Sequence, residues 1–119
     1  MNEMNISILL KRLGITPGVL GFHYIKEAII LVMKNTSFKY ALVGELYTKI
    51  AVKFHTTPAR VERAIRHAIE KAWYMGNTDL QQKLFGHTVS SEKGKPTNGE
   101  LIATVAEYLL CLEKGDNNE

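Results

Sequence analysis

The chain is poor in the features that would tie it to several common protein classes. Of its 119 residues one is cysteine and three are proline, and aromatics make up 8%. A lone Cys111 excludes an intrachain disulfide and fits a reducing cytoplasm. No apolar run approaches the roughly 20 residues that a membrane span needs, and the first residues show no signal-peptide pattern. Period-two alternation is almost absent, which removes a sheet from consideration. There is no Gly-rich phosphate loop and no Ser or Cys nucleophile elbow. The four histidines, His23, His55, His67 and His87, are scattered, with no i, i+4 pair and no HExxH-type spacing. Catalysis, a metal site and a cofactor are therefore not expected. Excess charge is also slight: the formal net charge of +3 permits a polyanionic partner without demanding one.

What is present is helix. Hydrophobic residues account for 45% of the chain, an ordinary fraction and enough for one domain with its own core. Ile6 to Leu13 reads as a short first helix stopped by Gly14 in the position after the cap. Thr16-Pro17-Gly18 marks a turn. Phe22 to Lys34 carries Ile25, Ala28, Ile29, Val32 and Met33 at helical spacing, and a third helix runs from about Tyr40 to Phe54. Pro58 to Met75 follows, then a break at Gly76-Asn77, a short helix from Asp79 to Phe85, and a polar loop from Gly86 to Lys95. Thr97 opens the last helix, and Glu100 three residues on completes a capping box. Leu101, Val105, Tyr108, Leu109 and Leu112 form its apolar face, and the polar tail from about Lys114 is expected to fray. The expected fold is all-α, a compact bundle of five or six helices in a single domain spanning residues 1–119.

The segment from Thr57 to Trp73 is the most informative. Val61, Ala64, Ile65, Ala68, Ile69, Ala72 and Trp73 make one apolar stripe. Arg63, Arg66, His67 and Glu70 lie opposite, with Arg60 and Glu62 on the flanks. Pro58 fits the first helical position and Thr57 can cap it. Only His55-Thr56 and that cap separate it from the preceding helical run, Glu45 to Phe54. Helix, short turn, and a second helix with an Arg-rich N-terminal half is the layout of a helix-turn-helix. Small Ala51 marks the close approach of the two helices, and Ile50, Phe54, Val61 and Ile65 supply their apolar contacts. The turn has no glycine; His55 stands in that neighbourhood.

The chemistry of this helix suits DNA. The planar fork of arginine spans the O6 and N7 acceptors of guanine, and glutamate accepts from the amino group of cytosine. Arg60, Glu62 and Arg63 are thus candidate base readers, with Arg66 and His67 as phosphate-positioning groups. Thr56 and Thr57 at the helix start, and Lys93 and Lys95 in the loop before the last helix, are further candidate phosphate contacts. Helical periodicity alone favours a solvated face carrying ion pairs such as Glu62–Arg66 or Arg66–Glu70.

The run Phe54-His55-Thr56-Thr57-Pro58-Ala59-Arg60-Val61-Glu62-Arg63-Ala64-Ile65-Arg66-His67-Ala68-Ile69-Glu70 resembles the DNA-binding effector domain of the sporulation master response regulator of endospore-forming bacteria. Gly76-Asn77, Leu84-Phe85-Gly86 and Lys95-Pro96-Thr97-Asn98 match it downstream in order and spacing, and Gly21 to Ile29 resembles its second helix. The resemblance extends from about Ile6 to Leu112. It implies sequence-specific binding to duplex DNA at sporulation-type promoters, with residues 58–73 in the major groove and Arg60, Glu62 and Arg63 on the bases of a short box. It also implies contact with the sigma subunit of RNA polymerase through the segment holding Gly76, Leu80 and Phe85, and self-association on tandem DNA sites.

The departures are local. Leu80-Gln81-Gln82-Lys83 does not follow the family's small and polar residues, Thr48 replaces a common proline, and Lys11 to Leu20 differs throughout. Full-length members carry a receiver domain, of which this sequence contains no part. Both an excised effector fragment and a stand-alone protein fit that reading. The rival function is a protein-interaction module of the same fold, acting on polymerase or a partner regulator with weak DNA affinity. The Arg60–Glu62–Arg63 cluster favours DNA.

Overall fold

A computed structural model describes residues 3–35, 43–76, 78–86 and 94–117. Among them are six helices and no strand: α1 Glu3–Arg12, α2 Leu20–Lys34, α3 Val43–Lys53, α4 Pro58–Met75, α5 Asp79–Phe85 and α6 Asn98–Asn117. The all-α expectation is met. The radius of gyration, 13.7 Å, is close to the roughly 13.5 Å of a compact chain of this length.

Helix α2 is the axis of the bundle and packs against α1, α3, α4 and α6. It is apolar on more than one side, burying Phe22, Tyr24, Ile25, Ala28, Ile29, Ile30 and Val32, as a surrounded helix must. Its tightest approach is at Gly21, where a Cβ would lie 2.2 Å from the Ala64 carbonyl oxygen and 2.7 Å from the Ala68 Cβ. Only glycine lets α2 lie this close to α4. The core continues through Ile6, Leu10 and Leu13 of the first segment to Leu101, Val105 and Ala106 of α6.

Helix ends follow local chemistry. Gly14, at φ +94°, closes α1 as a Schellman motif: its N–H donates to the Lys11 carbonyl (2.9 Å), and the Ile15 N–H donates to the Leu10 carbonyl (2.9 Å). Thr97 and Glu100 form both halves of the capping box: the Glu100 N–H donates to Thr97 Oγ1 (3.1 Å), and the Thr97 N–H to Glu100 Oε1 (2.8 Å).

Several boundaries shift. Helix α1 starts at Glu3 rather than Ile6, and α2 at Leu20 rather than Phe22. Residues 40–42 of the expected third helix lie outside the described residues, as does Lys93. Helix α6 runs on to Asn117, beyond the point where fraying was expected. Leu112, assigned to its buried face, is 49% exposed, at the edge of an open cleft between α6 and α1 that it shares with Ile8 and Arg12.

Candidate nucleic-acid interface

Helices α3 and α4 form the helix-turn-helix, and its turn is a second Schellman motif. The Thr56 N–H donates to the Ala51 carbonyl (2.9 Å) and the His55 N–H to that of Val52 (3.4 Å). In such a motif the residue after the helix cap must adopt a left-handed conformation, and His55 does so at φ +56°. The missing glycine is thus replaced by a residue that tolerates this region at a cost of about 1 kcal/mol. Ile50, Ala51, Val61 and Ile65 pack the two helices together as expected. Phe54 does not. The turn carries it out of α3, leaving it 36% exposed with its ring edge-on to Tyr24 at 5.2 Å.

The turn delivers Thr57 to the start of α4 in an extended conformation, where its hydroxyl accepts from the Arg60 N–H (3.2 Å). Pro58 occupies the first helical position, and the first turn has no acidic residue to neutralise the positive end of the helix dipole. Eighteen residues give α4 a length of about 27 Å. Val61, Ile65, Ala68, Ile69 and Ala72 are buried, with Ala64 and Trp73 at the margin of the core. Arg60, Arg63, His67 and Glu70 project from the opposite side, all exposed. Tyr74 and Met75 extend that exposed surface at the far end of the helix. Thr57 is exposed and Thr56 half-buried.

Glu62 is set apart from the two arginines that flank it in sequence. It lies on the side of α4 that faces the start of α6. One carboxylate oxygen accepts from Arg66 Nη1 (3.3 Å), and the other is screened from solvent without a hydrogen-bond partner. The i, i+4 pair that periodicity allowed therefore forms. With side-chain exposures of 35% and 46%, it contributes only about 0.3–0.5 kcal/mol.

The Glu62 carbonyl oxygen accepts from Asn98 Nδ2 (3.1 Å), and the same nitrogen donates to the Tyr47 hydroxyl of α3 (2.9 Å). Burial pushes the Tyr47 pKa above the usual tyrosine value. The Asn98 donor works against this, nearby Glu62 adds to it, and Arg66 offsets it. A surface cleft of about 420 Å³ runs beside these groups, bounded by Arg66 and Glu70 on α4 and by Lys95 and Asn98 on the approach to α6. Lys95 thus lies along the flank of α4, bordering the same cleft as Arg66 and Glu70. Among the described residues no cluster of three His, Cys, Asp or Glu side chains is placed to hold a metal ion.

The family model for the sporulation initiation factor Spo0A C-terminal region matches residues 6–109, nearly the whole chain. The chain belongs to this family. It is accordingly a DNA-binding effector domain of a transcription regulator linked to sporulation, and the family is not an enzyme family. No helix among the described residues is long and apolar enough to cross a membrane.

The segment from Gly76 to Phe85, which the resemblance offered for polymerase contact, turns two of its three candidate residues inward. Leu80 and Phe85 are core residues, 4% and 1% exposed, and the Phe85 ring meets Trp73 edge-on at 5.4 Å. The Phe85 ring thereby ties α5 to α4. Gly76 is half-buried at the end of α4, and the exposed side chains of α5 are Asp79, Gln82 and Lys83. Gln81 is buried at 2% exposure. Its Nε2 donates to the carbonyls of Leu13 (2.8 Å) and Ala72 (3.2 Å), two helix-end acceptors that lack a helical partner.

Three residues at or near the interface escaped the reading of the sequence. Tyr47 and Asn98 meet only through the tertiary fold, although Asn98 belongs to the Lys95-Pro96-Thr97-Asn98 run that matched the family. Tyr74 continues the helical spacing from Arg63, His67 and Glu70, and its position there was a usable signal.

Proposed function

We infer that this domain binds duplex DNA sequence-specifically, with the N-terminal half of α4 in the major groove, at promoters of the sporulation type. Arg60 and Arg63 read guanine edges. Glu62 reaches the amino group of cytosine by releasing Arg66, which turns to a phosphate. Thr56, Thr57, His67, Lys95 and Lys93 complete the phosphate contacts. The observation that carries this reading is the exposed Arg60, Arg63 and His67 row on the first turns of a capped helix with no acid in its first turn. Polymerase sigma contact falls to the exposed Asp79, Gln82 and Lys83 face of α5, and self-association on tandem sites is part of the same reading.

The test is the affinity of the chain for a duplex carrying the family's box and for a scrambled duplex, across a salt series. Three to five neutralised phosphates give a log K against log salt slope of about −3 to −4.5, with the box preferred at every salt. Equal, weak binding to both duplexes would favour the protein-interaction reading instead.

A further inference from the structure

The residues from Lys95 to Glu100 are held more firmly than a loop before a helix requires. Pro96 is buried, and the reciprocal Thr97–Glu100 bonds lock the next turn. Asn98, the first residue of α6, then uses both hydrogens of one amide nitrogen, one on the Tyr47 hydroxyl and one on the Glu62 carbonyl. This single side chain grips both helices of the helix-turn-helix. Its bond to α4 is at the residue immediately before Arg63.

Hydrogen-bond accounting does not explain the grip. The Glu62 carbonyl lies inside α4 and already has a helical partner in the Arg66 N–H. The bond from Asn98 is a second one on the same oxygen, so it satisfies no orphan and fixes geometry instead. Asn98 is also only half-buried and lies outside the apolar core, so its packing contribution is small. The geometry it fixes is functional. Lys95, three residues earlier, lines the cleft together with Arg66.

We propose that Asn98 is a positioning residue for DNA binding: it clamps the 95–98 segment to the backbone of α4, so that Lys95 meets a phosphate in fixed register with the base-reading edge. The inference rests on the reading of α4 as the DNA-contacting helix. Asn98 itself touches no DNA; it acts through Lys95.

A double-mutant cycle on DNA binding, with salt dependence as the readout, tests this. Lys95→Ala removes one phosphate contact and flattens the salt slope by about one unit, weakening all duplexes alike. Asn98→Ala removes no charge, yet is expected to flatten the slope by a comparable amount. In the Lys95→Ala background, Asn98→Ala should then have little further effect on the slope or on affinity. Asn98→Ser, which keeps one donor on a shorter arm and suits a helix start, gives the same readout if the alanine variant does not fold.

A purely structural role would lower the melting temperature and leave the slope of the folded protein unchanged. That result, or additive losses in the double variant, overturns the proposal while leaving the DNA-binding reading intact. Wild-type protein with no box preference and a shallow slope would overturn both.

Discussion

The same substitution, glycine to alanine, is expected to have opposite effects at two helix starts. At Gly21 the added Cβ would lie 2.2 Å from the Ala64 carbonyl oxygen, about 1.2 Å inside an ordinary 3.4 Å contact. The obstacle is the backbone of α4, which cannot rotate away as a side chain would. Overpacking of this kind costs about 1–3 kcal/mol or more, and better helix propensity returns at most about 1 kcal/mol. Gly21→Ala should therefore destabilise the fold by about 2 kcal/mol. At Gly44, in the first turn of α3, a Cβ meets nothing within 4 Å. Gly44→Ala should stabilise by about 0.5–1 kcal/mol, through propensity and a less flexible unfolded chain. Urea unfolding followed by circular dichroism measures both. With a slope of about 1.3 kcal/mol/M, Gly21→Ala lowers the midpoint by about 1.5 M, while Gly44→Ala raises it by about 0.5 M. Equal stabilisation by both would refute the close approach of α2 to α4, and with it the account of how α4 is braced behind its DNA-facing side.

Further outcomes follow from single contacts. Gln81→Leu strips two hydrogen bonds from buried carbonyls and should cost about 2–4 kcal/mol in thermal or urea unfolding; a neutral result would mean that α5 does not depend on them. His55→Gly relieves the left-handed backbone of the turn and should stabilise by about 0.5–1 kcal/mol, whereas His55→Val should destabilise by more than that. Tyr47 has a raised pKa, so the folded state holds its proton more tightly than the unfolded state does. Its contribution to stability is complete below the unfolded tyrosine value, near pH 10, and declines as pH rises through the folded value. Tyr47→Phe should lose about 1 kcal/mol at neutral pH but show a shallower alkaline decline than wild type, and parallel pH profiles would contradict this assignment.

The reading of the sequence succeeded where local rules govern. The apolar stripe of α4, its Thr57 cap and Pro58 start, the Gly14 stop and the Thr97–Glu100 box all depend on residues within a few positions of one another, and each appears in the structure. It failed where long-range packing decides. The helix from Asp79 to Phe85 was expected, but its Leu80-Gln81-Gln82-Lys83 run gave no sign of which side chains are buried. Gln81 is buried because two helix ends, one of them 68 residues away, present bare carbonyls to it. Phe54 has the chemistry of a core residue, but the Schellman turn at His55 redirects it, and turn geometry of that kind is usually signalled by glycine. Glu62 was placed on the flank of the helix by its spacing, but that Asn98 bonds its carbonyl could not be read from residues 36 positions apart.

The central claim is that the exposed edge of α4 reads bases, and Arg63 tests it most directly. Affinities of wild type and Arg63→Ala for the family's box, and for a panel of single base-pair variants of it, should be measured at near-physiological salt. The account predicts a loss of about 1–3 kcal/mol on the intact box and a flattened preference at one base pair, with the other positions still discriminated. Unchanged affinity and unchanged preference at every position would contradict it and place the DNA-reading surface elsewhere on the domain.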